Sequence, residues 1–220
     1  MSVLGVVRVI TSDDPAFVGA HGRWIEQRYG LRTRSACIPG QQYGVHDDES
    51  FARAVPKIVK VAEELAAEGA SCVLISCAAD PALAETRAAV PIPVVGAGSS
   101  GAATALALGG RVGVLGLNDE APEAVRAVLG DRLAASLRPE GVRRTTDLLE
   151  PGAADRSVAA ARRLVEAGAE AVLFACTGLT TIGLAPRITK ELGVPAVDAV
   201  LAAGLMASYA MHDKERAVNI

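Results

Sequence analysis

Aromatic residues are scarce. Phe, Trp and Tyr make up 3% of a 220-residue chain that is half hydrophobic, so its core must be built from Ala, Val, Leu and Ile. An excess of one charge is also lacking: 22 basic against 25 acidic residues leave a net charge of −3. A basic stripe, the usual footprint of a nucleic-acid binder, is missing. The densest basic stretch, Arg138 to Arg144, also holds Glu140 and reads as solvated surface. No apolar run reaches the length of a membrane span, and Asp13 and Asp14 interrupt the first one early. No nucleic-acid or membrane partner is therefore expected. A basic region followed by an apolar stretch and a small-residue cleavage site is missing from the N-terminus, so the expected location is cytoplasmic. The four cysteines, Cys37, Cys72, Cys77 and Cys176, form no CxxC pair and no zinc-like cluster with the three histidines. No metal is assigned, and in a reducing cytoplasm the cysteines are expected to be thiols.

What the chain does contain is an alternation of apolar runs and helical stretches. Its length suits one large or two small domains. Strands are predicted at Val3 to Thr11, Arg32 to Ile38, Cys72 to Cys77 and Ile92 to Val95. Helices are predicted from Pro15 to Tyr29, from the end of the turn-rich Pro39 to Asp48 loop to about Gly69, and near Pro81 to Ala89. Pro56 predicts that the long helix starts late or bends. The second half repeats the plan, with strands at Arg111 to Leu117, Ala171 to Cys176 and near Pro195 to Val197. Its helices are predicted at Glu120 to Leu129, Ala154 to Ala167 and Ile182 to Leu192, with a final helix after Val197. Gly130 to Gly152 resists assignment. Short connections between such elements favour mostly parallel sheets covered by helices.

The halves also align. EGASCVLISC (Glu68 to Cys77) matches AGAEAVLFAC (Ala167 to Cys176), and each is followed by a helix and then IPVVGA (Ile92 to Ala97) or VPAVDA (Val194 to Ala199). This predicts an α/β protein of two related lobes, 1–109 and 110–220, with pseudo-two-fold internal duplication. The last helix is free to pack back on the first lobe.

The duplication puts Cys77 and Cys176 at equivalent strand ends, each just before a helix. Ligands of open α/β sheets bind beyond the carboxyl ends of the strands, and a helix N-terminus favours a thiolate. A single cysteine ending an apolar strand is usually a small buried hydrophobe. Two at the same corner of related lobes point to chemistry. Two thiols facing one cleft suit stereoinversion at an acidic C–H: one thiolate removes the proton and the opposite thiol returns one to the other face. The small flanking residues Ala78, Ala79 and Gly178 leave backbone N–H groups free for a substrate. Thr11, Ser12, Ser99, Ser100 and Thr177 are candidate hydrogen-bonding groups at strand ends. Asp80 either caps the helix after Cys77 or acts beside the thiol, and Asp198 either faces the cleft or caps the last helix. His46 lies in the turn-rich loop. The sharpest competing feature is GAGSSG, Gly96 to Gly101, a G-x-G-x-x-G run between a strand and a helix, with Asp119 further on. A dinucleotide unit there would begin in mid-chain and would leave the repeated cysteine unexplained. A two-lobed small-molecule binder or a thiol-redox sensor would also fit the duplicated halves.

With these residues in view, the chain resembles the Asp/Glu/hydantoin racemase superfamily along nearly its whole length. VRVIT leading to Ser12, SCAADP around Cys77, IPVVGAGSS, CTG at Cys176 and VPAVDAV carry the resemblance. Cys77-x-x-Asp80-Pro81 is similar to the first site of hydantoin racemases. The resemblance implies a cofactor-independent racemase that acts on 5-monosubstituted hydantoins or a similar cyclic ureide such as allantoin, with a small molecule as its binding partner. It also implies catalytic roles for Cys77 and Cys176 and a place for His46 in the substrate pocket. A homo-oligomer is expected. The chain departs from the pattern where Ala78-Ala79 replaces Phe-Gly, where Ser99 stands in the place of a Glu, and where Gly178 replaces the Glu or His of amino-acid racemases. Aspartate or glutamate racemisation is therefore the second choice, together with an arylmalonate-decarboxylase-like reaction, which works with one of the two cysteines.

Overall fold

The computed structural model describes residues 2–217. Two four-stranded sheets form, every pairing in them parallel. The first runs β2 (Arg32–Cys37), β1 (Val3–Arg8), β3 (Cys72–Ser76), β4 (Val94–Gly96) in space. The second repeats that order with β6 (Leu133–Leu137), β5 (Val112–Leu115), β7 (Ala171–Phe174) and β8 (Ala196–Val197). This is the predicted two-lobed α/β fold. The central strands β3 and β7 are buried throughout, as continuous apolar runs should be in a sheet covered on both faces.

Ten α-helices cover the sheets among the described residues: α1 (Pro15–Val18), α2 (Ala20–Tyr29), α3 (Asp48–Ala67), α4 (Leu83–Ala89), α5 (Ala97–Leu108), α6 (Glu123–Leu129), α7 (Ala153–Glu166), α8 (Gly178–Thr181), α9 (Ala185–Leu192) and α10 (Ala199–Ala217). Between the sheets lies a core of Leu4, Val6 and Leu74 from the first and Val112, Val114 and Leu173 from the second. Ala102 and Ala105 of α5 and Ala203 and Ala207 of α10 complete it, and these small side chains let the helices approach closely without aromatic filling. Two outer cores lie under α3 and under α7 with α9. Helix α10 follows the second sheet in sequence but packs on α5, α2 and β3.

Several boundaries differ from the pattern reading. The helix predicted over Pro15 to Tyr29 splits at Gly19 into α1 and α2. Helix α3 does not start late at Pro56: a reciprocal cap between Asp47 and Ser50 starts it at Asp48, and it runs through the proline. The helix predicted from Ile182 to Leu192 starts three residues later, at Ala185, after the separate short helix α8. The unassigned stretch 130–152 supplies the edge strand β6 and a 3₁₀ turn, Thr145–Leu149. Strands β1, β3 and β7 end earlier than their apolar runs, so Cys77 and Cys176 lie in the loops just beyond β3 and β7. The chain leaves the sheet there, which lets the thiols face a cavity.

Candidate active site

A cavity of about 660 Å³ opens between the carboxyl ends of the two sheets. Cys77, Ala78 and Ala79 line it from the first lobe, and Cys176, Thr177 and Gly178 from the second. His46 reaches it from the loop before α3, its Nδ1 3.2 Å from the Gly44 carbonyl. Asp47 and Asp48 on one side and Glu120, Glu123 and Arg126 on the other also line it.

The two thiols sit in different surroundings. Burial pushes the Cys77 thiol up to about 12; nearby Cys176 and Asp80 add to this, while the Ala79 N–H opposes it. Burial also raises Cys176 above the usual thiol range, against the N–H groups of Gly178 and Leu179 and the Thr145 hydroxyl. Cys176 thus has three donors turned to its sulfur where Cys77 has one, and no carboxylate presses on it. Burial favours the protonated thiol at both positions, and the three donors at Cys176 offset it where Cys77 has one.

Asp80 does not cap the helix that follows Cys77. Its backbone takes a left-handed conformation (φ 49°) before α4 begins, and its carboxylate turns to the start of α5. There it accepts from the N–H groups of Gly98 and Ser99 at 2.6 and 2.8 Å. Burial raises its carboxyl, opposed by the Ser99 hydroxyl and these N–H groups. A Cβ on Gly96 would collide with that carboxylate, and one on Gly98 with the Ala78 carbonyl. The first two glycines of GAGSSG are therefore accounted for by close packing against the Cys77 loop, and Gly101 by its close approach to Leu173 and Ala199. Asp198 is the N-terminal cap of α10. Its Oδ1 accepts from Thr180 Oγ1 at 2.8 Å and from the N–H groups of Val200 and Leu201 at 2.9 and 3.1 Å.

Most of the remaining hydroxyl candidates are engaged within the protein. Thr11 Oγ1 donates to the Ile38 carbonyl at 2.6 Å and accepts from the Gln41 N–H at 2.7 Å. Ser12 Oγ accepts from the Asp14 N–H at 3.2 Å. Ser99 serves Asp80, and Ser100 is buried on α5. These four, with Asp80 and Asp198, do not line the cavity. Thr177 does, with its hydroxyl donating to the Ser76 carbonyl of the other lobe at 3.2 Å.

Pattern reading misses Thr145, which comes from the unassigned stretch and serves Cys176. It also misses two buried cations or potential cations. Arg8, at the end of β1, donates to the Phe17 and Val18 carbonyls at 2.6 and 3.2 Å, and burial lowers it to about 10. His21 on α2 is 1% exposed and lies between Ser76 and Thr181. No short-range spacing marks any of the three. Among the described residues, no group of three or more His, Cys, Asp or Glu is arranged to hold a metal, and no helix is long and apolar enough to cross a membrane.

Two repeated parallel sheets each deliver a cysteine loop to one shared cavity, an arrangement that fits an isomerase of the racemase class. More particularly, the Asp/Glu/Hydantoin racemase family model matches residues 35–207, and the chain belongs to that family. The fold is similar to that of an allantoin racemase from Klebsiella pneumoniae, with a TM-score of 0.81 and 22% identity over 94% of this chain and 86% of that one. It is also similar to an allantoin racemase from Pseudomonas fluorescens, with a TM-score of 0.78 and 20% identity over 97% and 92%. A glutamate racemase isoform from Bacillus anthracis has a TM-score of 0.66 and 18% identity over 97% and 82%. No curated protein matches the sequence.

Proposed function

We propose that the protein racemises a 5-monosubstituted hydantoin or a related cyclic ureide such as allantoin, without a cofactor, with Cys77 and Cys176 as the two acid–base groups. The observation that carries this reading is that both cysteines, one from each repeat, line the same cavity.

The chemical difficulty is the weakly acidic C5–H. In the proposed reaction the Cys176 thiolate takes that proton from one face, and the electron pair moves into the ring carbonyl to give an enolate. The Cys77 thiol then delivers its proton to the opposite face. The cycle ends with the protons exchanged between the sulfurs, so the reverse reaction uses the opposite enantiomer. Assigning the first thiolate to Cys176 rests on its three donors. The N–H groups of Ala78 and Thr177, on the two loops, are the donors proposed for the enolate oxygen. Thr177 Oγ1 is committed to Ser76, so its backbone suits the role better than its side chain. The ring carbonyl serves as the electron sink, and the reaction as written needs no further group.

Purified protein and one enantiomer of 5-benzylhydantoin, followed by circular dichroism with no additive, test the proposal. Decay of the signal faster than the spontaneous rate is expected for this substrate, a 5-alkyl hydantoin or allantoin. Failure with all three, together with turnover of aspartate or an arylmalonate, would replace this reading with amino-acid racemisation or decarboxylation.

A further inference from the structure

We propose that His21 is a positioning residue that fixes the spacing of the two cysteine loops, an inference that rests on the two-base reading above. The imidazole belongs to neither loop but contacts both. Its Nδ1 lies 2.7 Å from Ser76 Oγ and its Nε2 3.0 Å from Thr181 Oγ1. Ser76 directly precedes Cys77, while Thr181 closes the short helix that starts two residues after Cys176. Ser76 is the hub of the arrangement, because its own carbonyl accepts from Thr177 Oγ1. A polar chain thus runs from the Cys77 loop through His21 to the Cys176 loop, inside the protein.

The local sequence explains how the ring gets there. Gly22 lets α2 lie against β2, since a Cβ at that position would collide with Thr33 Oγ1. Ser76 is the last residue of β3 and pairs in register with Arg8, so both side chains project from the same face. Burial and the nearby Arg8 charge keep His21 neutral, well below the ordinary histidine range. A neutral ring has one N–H and one bare nitrogen, so its two hydroxyl contacts have opposite donor sense. A rigid planar ring with both nitrogens engaged is a spacer of fixed length.

The chemistry needs such a spacer. A two-base inversion requires both sulfurs within reach of one carbon, whereas removal and return of a proton on a single face requires only one. Misplacement by about 1 Å can cost on the order of a hundredfold in rate. A change in loop spacing therefore harms racemisation more than single-face exchange. A buried histidine that only added stability would lower both together.

The test begins without substrate. The wild type, His21→Asn, His21→Gln and a stability control on the same helix, Ile25→Val, are treated with a short bis-methanethiosulfonate and mapped by peptide mass spectrometry. The wild type and the control are expected to give a Cys77–Cys176 bridge. In both His21 variants the bridge should fall several-fold while a monofunctional reagent still labels each thiol. On the hydantoin that the wild type turns over, racemisation should fall roughly 10- to 100-fold and C5 exchange with deuterium oxide less than about threefold. Unchanged bridging in both variants, equal losses in the control, or racemisation and exchange falling in step would overturn the proposal. Absence of a bridge in the wild type, with both thiols labelled, would instead overturn the facing-cysteine reading beneath it.

Discussion

In the first lobe, the carboxylate at the start of the helix behind the cysteine loop comes from the loop itself; in the second, it comes from the residue before the helix. Asp80 reaches out of the Cys77 loop to the N–H groups of α5, and Gly96, which precedes α5, has no side chain to interfere. At the position equivalent to Gly96 stands Asp198, which caps α10 and accepts from Thr180 beside the Cys176 loop. The link between loop and helix survives while donor and acceptor change sides. This difference sets the cysteines apart: the first loop carries a carboxylate that raises its thiol, while the hydroxyl bonded to the Cys176 sulfur, Thr145, comes from outside the Cys176 loop. Duplication thus preserves a mechanical connection and breaks electrostatic symmetry.

The hardest test of the comparison is to remove each sulfur. Cys77→Ala and Cys176→Ala should each lower racemisation by roughly 10²- to 10⁴-fold in polarimetry. Each should retain deuterium exchange at C5 for one enantiomer, and the two variants should favour opposite enantiomers. Retention of racemisation in either variant would remove the two-base assignment.

Swapping the carboxylates comes next. Asp80→Ala leaves one buried and one half-buried N–H group without their acceptor and should cost about 2–3 kcal/mol in urea denaturation. Gly96→Asp alone should also destabilise, because its side chain meets Asp80. Combined, Asp80→Ala and Gly96→Asp reproduce the arrangement of the second lobe and should recover at least half of the loss. Simple addition of the two penalties would show that the lobes are not equivalent at this point.

A smaller effect separates the thiols by pH. Both lie above the usual thiol range, so alkylation by iodoacetamide should be slow at neutral pH and accelerate as pH rises, Cys176 ahead of Cys77. Asp80→Asn should bring the two closer by lowering Cys77. A bell-shaped rate profile, shifted to high pH by the burial of both thiols, is expected of a pair of one base and one acid, and a rate that only climbed with pH would count against the pair. Simultaneous labelling would contradict the asymmetry.

The smallest effect belongs to the group between the loops. His21 is lowered on folding, so its contribution to stability is full above the unfolded value near 6.5 and is lost as pH falls below it. Between pH 6.5 and 5.5 the loss should be about 1 kcal/mol, measured as a change in urea midpoint, and His21→Gln should remove it.

Repetition makes the two-lobed fold and the cysteine pair legible in the sequence. GASCVLISC and GAEAVLFAC carry both the buried strand and the residue that ends it. Asp80 is visible there but points to the wrong helix, because its partner α5 is distant in sequence and only the turn at Asp80 aims the carboxylate there. Thr145, Arg8 and His21 are invisible for the same reason. Their roles depend on which strand ends lie side by side, which no local period encodes. The early strand ends at Ser76 and Phe174 are hidden because apolar residues continue past the last ladder bond, into loops that remain buried.

Asp80 has a consequence for competing ligands. A glycine-rich helix start is an open invitation to phosphate, and Gly96 to Gly101 would extend it. Here the guest is already seated, tethered to the chain 18 residues upstream of the N–H group it occupies. A tether of that kind supplies its group at an effective concentration in the millimolar range when flexible, and a folded loop holds it more firmly. Any free anion would have to displace an intramolecular rival present in every molecule, so the segment that most looks like a nucleotide cradle is permanently occupied by its own side chain.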